Sequence, residues 1–537
     1  MKLNKRIGIL SLAATLAVAS GCDSYFDINV DPNNPSEVTL GQLLTQSELT
    51  LVNSFGMGNN GMSTPTSILV HQTVQRGSVD QYVVSGDDFQ ITQSWQNLYS
   101  GSLEDLKSIV DQGTEEGSPQ YVGVAQILMA YTYSMIVDLW GDVPFSEALD
   151  PQLALYPQFD DDATIYPALL QLLDNGIANL ALESESSPAT DDLIYGGNLT
   201  NWRRLAKSLK LKLYNQTRLV ADVAAEVNAL IAEGDLLRTG GDFELEYGTS
   251  VAPDNRNPAF VYEYTLGNKV SYISPYFYEI MTNQSELNDV LSGITDPRVP
   301  YYWFKQITDP ADAQNPTEYT DDNGFLSIHF ASTGVNQGWQ QDRSQTVLGL
   351  YPIGGRYDDD EGGEVNTSGA TTGPGTVAQR LYTHFASLYT QAELMLMEPG
   401  VAGDARQLFE EAMRASFAKV NAIANDTGAP LMSAATINNY VNAVLAKYDA
   451  ASTNGKLELI MTEKWIASFG FSIDAYTDYR RTGYPIMYDP NTDNLPYTGT
   501  SRLYPVSMAY NAQSLNLNQN APEQKNVTTD RVFWDAD

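Results

Sequence analysis

Trp303 and Trp339 stand in a stretch without helical periodicity, beside Tyr272, Tyr276, Tyr301 and Tyr302. Flat aromatic faces complement the apolar C–H faces of sugar rings, while Asn, Asp, Gln and Arg bond the hydroxyls around them. A second group, His71, Arg76 and Tyr82, precedes a helix expected around Trp95. Trp303, Trp339, Tyr272, Tyr276 and Tyr301 are therefore candidate ligand contacts. The remaining tryptophans, Trp95, Trp140, Trp202, Trp465 and Trp534, fall in helical or motif contexts and are expected in the core.

The acidic residues suggest other chemistry, and each suggestion has a plainer competitor. Asp358-Asp359-Asp360-Glu361 with Glu364 offers several carboxylate oxygens, the donor set of Ca²⁺, so Asp358, Asp360 and Glu364 are candidate ligands of a structural calcium. A solvated acidic loop is the competing reading, and no other cofactor is expected. Asp489-Pro-Asn491-Thr-Asp493 has alternating oxygen donors but lacks the glycine and the glutamate of a calcium loop. Paired carboxylates could also serve a glycosidase at separations of roughly 5–9.5 Å, but among sixty-six acidic residues some pair always meets that spacing. No Gly-x-Ser-x-Gly elbow occurs, and the single cysteine is Cys22, so the chain is expected not to be an enzyme. Gly56-Met-Gly58-Asn-Asn-Gly61 fits a dinucleotide fingerprint by letter only, because a helical pattern precedes it where a strand is required. Arg203, Arg204, Lys207, Lys210 and Lys212 wrap around one helix rather than forming a stripe, and are expected in ion pairs.

Helices must position these residues. The stretch 119–140 carries one apolar stripe at Val124, Leu128, Tyr131, Met135 and Leu139 and another at Val122, Ala125, Met129, Ile136 and Trp140. A helix apolar on two faces is buried between neighbours. Gly141 and Pro144 then stop it. Helical periodicity recurs at 40–55, 162–182, 201–220, 221–233, 381–397, 403–418, 433–449 and 456–470. Between 241 and 375 it fades, and Gly, Pro, Asn, Asp and Tyr accumulate, as they do over 485–537. A helical scaffold over about 36–240 and 376–484 thus carries a long loop-rich insertion, where binding residues usually sit. With 43% hydrophobic residues among 537, the chain can bury a core. Its net charge of −36 repels nucleic acid.

Residues 1–21 read as a lipoprotein signal peptide: Lys2, Lys5 and Arg6 precede a short apolar stretch that ends in Ala19-Ser20-Gly21-Cys22. Cleavage there would leave Cys22 as the acylated first residue of a single domain, 22–537, and would move the net charge from −36 to about −39, because the segment carries three cations and no acid. Ala19 departs from the usual Leu three residues before the cysteine.

Several motifs, in order along the chain, resemble the SusD/RagB family of nutrient-binding outer-membrane lipoproteins. They are Asp138-Leu-Trp-Gly-Asp-Val-Pro-Phe-Ser-Glu-Ala-Leu149, Asp192-Leu-Ile-Tyr-Gly-Gly197 with Trp202-Arg-Arg-Leu-Ala-Lys-Ser-Leu-Lys-Leu211, Tyr351-Pro-Ile-Gly-Gly-Arg-Tyr-Asp358, Lys464-Trp-Ile-Ala467, Tyr479-Arg-Arg-Thr-Gly-Tyr-Pro485 and the terminal Val532-Phe-Trp-Asp535. The resemblance implies a mainly α fold, a SusD-like helical scaffold of tetratricopeptide-like hairpins with a loop-rich ligand face. It also implies a lipid-anchored, surface-exposed outer-membrane protein that captures oligosaccharide for a SusC-type TonB-dependent transporter. Strong negative charge favours a neutral glycan. Peptide capture, as in the RagB branch, is the alternative within the family; a secreted glycoside hydrolase is the alternative outside it. The family motifs are mostly scaffold residues, so the ligand site does not carry over residue by residue. The stretch 59–90 nevertheless resembles the region where family members often place ligand contacts, which adds His71, Arg76 and Tyr82 to the candidates.

Overall fold

The computed structural model describes residues 38–77, 80–150, 152–265, 269, 271–365, 373–499 and 503–536. Cys22 and the signal segment lie outside the described residues. The longer helices are α1 Leu40–Phe55, α2 Ser63–Leu69, α3 Phe89–Asn97, α4 Glu104–Glu115, α5 Pro119–Trp140, α6 Asp162–Leu180, α7 Leu199–Thr217, α8 Ala224–Glu233, α9 Pro275–Thr282, α10 His384–Met397, α11 Ala405–Thr427, α12 Ala434–Ala450, α13 Thr453–Ala467 and α14 Ile473–Thr482. The fold is mainly α, as expected from periodicity.

Helix boundaries follow local chemistry. Thr39 and Gln42 close a capping box at the start of α1. Pro119 opens α5, where a missing N–H costs nothing, and Gly141 at φ 74° ends it. α5 is long and apolar enough to cross a membrane, but it is buried almost throughout, between α4, α6 and α7. α11 runs nine residues past its expected end because its buried stripe continues through Val420 and Ala424, interrupted on the outside by Asn421 and Asn425. Consecutive helices pack on one another (α4 on α5, α5 on α6, α6 on α7, α10 on α11, α11 on α12), which is the hairpin arrangement of tetratricopeptide-like folds. The turn 56–61 joins α1 to α2. A Cβ at Gly61 would run into the Gly56 carbonyl, so the glycine there serves close backbone approach and no cofactor.

Among the described residues, four short antiparallel ladders stitch the insertion together: β1 Thr73–Gln75 with β3 Ser271–Ile273, β2 Phe243–Leu245 with β8 Gln379–Tyr382, β4 Trp303–Phe304 with β7 Val347–Leu348, and β5 Tyr319–Thr320 with β6 Leu326–Ser327. One apolar core runs from α1 through the insertion to Trp534, and a smaller one lies under α8. The basic cluster of α7 is ion-paired: Arg203, Arg204 and Lys207 meet Asp235, Lys210 meets Asp174, and Lys212 meets Asp474. A buried network fixes the insertion to the scaffold. Arg298 bonds Asp296 at 2.6 Å and Glu463 of α13 at 2.8 Å, and Tyr440 of α12 donates to the same Glu463.

Candidate functional site

β1 and β3 are almost two hundred residues apart in sequence, and their pairing joins the two groups of candidate residues. The register sets Val74 opposite Tyr272 and Gln75 opposite Ser271. Arg76, one residue beyond β1, donates from Nη1 to Asp342 Oδ1 at 3.2 Å. The Asp342 backbone carbonyl accepts from Lys269 Nζ at 2.8 Å and Gln306 Nε2 at 3.1 Å, while Gln345 Nε2 donates to the Ser271 carbonyl at 3.1 Å. The segment 334–345 is therefore held down at its C-terminal end. Trp339 lies three residues before Asp342, so their Cα atoms are at most about 11 Å apart. Its side chain is left 44% exposed on a segment that is otherwise anchored.

The other end of that segment is anchored too. Ser332 bridges to Thr498, and the Thr333 N–H donates to the Tyr497 carbonyl at 2.6 Å. The Tyr497 ring, 45% exposed, stacks on His329 with 5.9 Å between centroids and 11° between planes. Burial holds the His329 imidazole down at about 4, so it is neutral at physiological pH. A cleft of about 270 Å³ that includes Gln75 of β1 is lined by Gln81, Asp88 and Gln90 as well, with Ile68 and Ile91. Amides and carboxylates around an apolar floor suit a polyhydroxylated ring.

Several candidates occupy other places. Trp303 is fully buried, with Phe277, Tyr278 and Phe325 against its ring, and offers no face to a ligand. The run Tyr301-Tyr302-Trp303-Phe304 is a continuous apolar stretch entering β4, which is core chemistry. Tyr301 is buried with its hydroxyl donating to the Pro430 carbonyl at 2.6 Å, apart from the other candidates. Tyr276 is buried against Trp465, its hydroxyl bonded to the Ile486 carbonyl. Tyr272 is buried beneath the Arg76 contact; burial pushes its hydroxyl up to about 12 against the pull of the Arg76 charge. His71 and Tyr82 form a buried pair, Nε2 to hydroxyl 2.9 Å, inside a ring cluster with Phe330, Tyr276 and Tyr488. Burial lowers the His71 pKa to about 3. Of the eight candidates, Trp339 and Arg76 alone keep more than a tenth of their side chains exposed. Asp342, Tyr497 and His329 were not among the candidates; Tyr497, in a loop rich in Asn and Pro, carried only the weak signal of an isolated aromatic.

The proposed calcium ligands meet a fixed cation instead. Lys305 Nζ is 2.6 Å from Asp360 Oδ1 and 3.8 Å from Asp358 Oδ2, and burial raises the Asp358 carboxyl to about 6 while Lys305 pulls it down. Glu364 is exposed, and among the described residues no three His, Cys, Asp or Glu side chains gather as a metal site.

Comparison with known proteins places this helical scaffold in a family. The model of the SusD-like family described as starch-binding and associating with the outer membrane matches residues 32–510, and the chain belongs to that family. Solved structures agree on the fold. A SusD/RagB family protein from Bacteroides thetaiotaomicron superposes with a TM-score of 0.68 at 18% identity, covering 93% of this chain and 99% of its own. A SusD homologue from Bacteroides fragilis gives 0.67 at 17%, covering 93% and 99%. A chitin-binding SusD homologue from Flavobacterium johnsoniae gives 0.62 at 18%, covering 92% and 98%. No curated protein matches the sequence.

Proposed function

We propose that this protein captures an extracellular oligosaccharide at the face built by β1, β3 and the segment 334–345, and passes it to a SusC-type TonB-dependent transporter. It acts from the cell surface, held in the outer membrane by lipid on Cys22. The observation that carries this reading is Trp339, a large aromatic side chain kept half exposed on a segment fixed at both ends. A sugar ring stacking on it gains about 1 kcal/mol, and Arg76, Asp342 and the amides of the neighbouring cleft orient the hydroxyls. Modest affinity suits a ligand that must be handed on.

The excess of negative charge, −36 before signal removal, favours a neutral glycan. Chitin, the ligand named for one structural relative, is neutral and is a suitable first probe. Affinity electrophoresis of the mature chain against neutral and acidic polysaccharides tests this: retardation by a neutral polymer supports it, and tighter binding to alginate or pectin refutes it. No release of reducing sugar is expected over a day of incubation.

A further inference from the structure

The cleft of about 270 Å³ lined by Gln75 has a floor and a rim of different chemistry. Ile68 and Ile91 are buried in it, with Pro65 beside them, and form an apolar floor. Three polar side chains at the same cleft keep hydrogen-bonding capacity to spare among the described residues. Gln75 engages only its backbone, its N–H donating to Gln81 Oε1 at 3.0 Å, and the Gln90 amide has no partner. Asp88 uses one oxygen, Oδ2, which accepts the Ser85 N–H at 2.7 Å. Burial raises the Asp88 pKa against the pull of that N–H, the mark of a carboxylate short of donors. A plain hexose suits this cleft poorly. Hydroxyls surround its ring, so one entering the cleft would bury a hydroxyl on Ile68 and Ile91 without a partner. An acetamido group matches both parts, with a methyl for the floor and a carbonyl and N–H for the rim. The volume is at the small end of ligand pockets and holds one such group with the edge of its ring.

We propose that this cleft is the specificity subsite of the ligand face and takes the acetamido group of a neutral N-acetylated hexose. The methyl rests on Ile68 and Ile91, the N–H donates to Asp88 Oδ1, and the carbonyl accepts from Gln75 or Gln90. The inference rests on the glycan reading of the Trp339 face. Gln75 precedes Arg76, whose guanidinium holds the Trp339 segment through Asp342, so cleft and face are joined through β1. The subsite assigns the kind of sugar, which the exposed indole alone does not, since its face stacks on any pyranose.

Saturation-transfer NMR of the mature chain with sugars matched except at C2 tests the proposal. The pairs are N-acetylglucosamine with glucose and N-acetylgalactosamine with galactose, and L-fucose supplies a methyl without an amide. Transfer is expected to be strongest at the acetamido methyl, and each N-acetylated sugar is expected to bind about tenfold or more tighter than its plain counterpart. Gln90→Ala and Gln75→Trp, the second filling the cleft, stand at half-buried positions and are expected to remove most of that preference. Their melting temperatures report that they fold. Calorimetry with the β-1,4-linked tetramers of N-acetylglucosamine and glucose separates the subsite from the Trp339 face: Trp339→Ala weakens both tetramers and keeps their ratio, whereas the cleft variants bring the ratio toward one. Tetramers of equal affinity that both need Trp339 overturn the subsite and leave the face standing. A preference lost in the cleft variants but indifferent to Trp339→Ala supports the subsite and refutes the face. A preference that survives both cleft variants, or fucose binding as well as the acetamido sugars, overturns the proposal, and if no sugar binds, subsite and face fall together.

Discussion

Two tryptophans that look alike in sequence have opposite roles, and substitution separates them. Trp303→Ala empties a fully buried site and is expected to cost about 3–5 kcal/mol, read as a lower midpoint in denaturant unfolding. Trp339→Ala removes a half-exposed ring, so stability stays within about 0.5 kcal/mol while glycan affinity falls roughly tenfold. His71 has a pH signature. Its folded pKa is about 3 against an ordinary 6.5, so the unfolded chain takes up a proton that the folded protein refuses. Its contribution is therefore full above about pH 6.5 and declines as pH falls toward 3, by about 1.4 kcal/mol per unit. Buried acids such as Glu263, raised to about 7, act in the opposite sense, but they are shared by parent and variant. The stability gap between the parent and His71→Gln is expected to narrow from pH 7 to pH 5 in urea unfolding; a gap that widens would contradict the buried neutral imidazole.

At the scale of elements, the ligand face depends on how the insertion is fastened. Arg298 is fully buried between Asp296 and Glu463, so Arg298→Ala strands two carboxylates and is expected to cost about 3–5 kcal/mol, seen as a large fall in melting temperature. The helices were readable because their apolar stripes are long: α5 is apolar on two faces, and its stop at Gly141 is written in the local sequence. The ladders were not readable. β1 and β3 are three residues each, and nothing in either segment names the other as its partner. The same holds for Arg76 and Asp342, 266 residues apart, whose pairing holds the Trp339 segment in place. The burial of Trp303 did leave a sign, the unbroken apolar run into Phe304, but irregular surroundings masked it.

At the scale of the molecule, charge sets the kind of ligand. A surface this acidic attracts no neutral glycan at long range and repels an acidic one, and salt screens either effect within about 8–10 Å. Binding of a neutral polymer is therefore expected to be the same at 50 and 500 mM salt (roughly tenfold apart), whereas a uronic-acid polymer would bind better as salt rises. The most direct test of the ligand face is affinity electrophoresis of parent and Trp339→Ala side by side in a neutral glycan that retards the parent. The parent is expected to be retarded and the variant to run free while melting at the same temperature; equal retardation of the two would show that the ligand binds elsewhere.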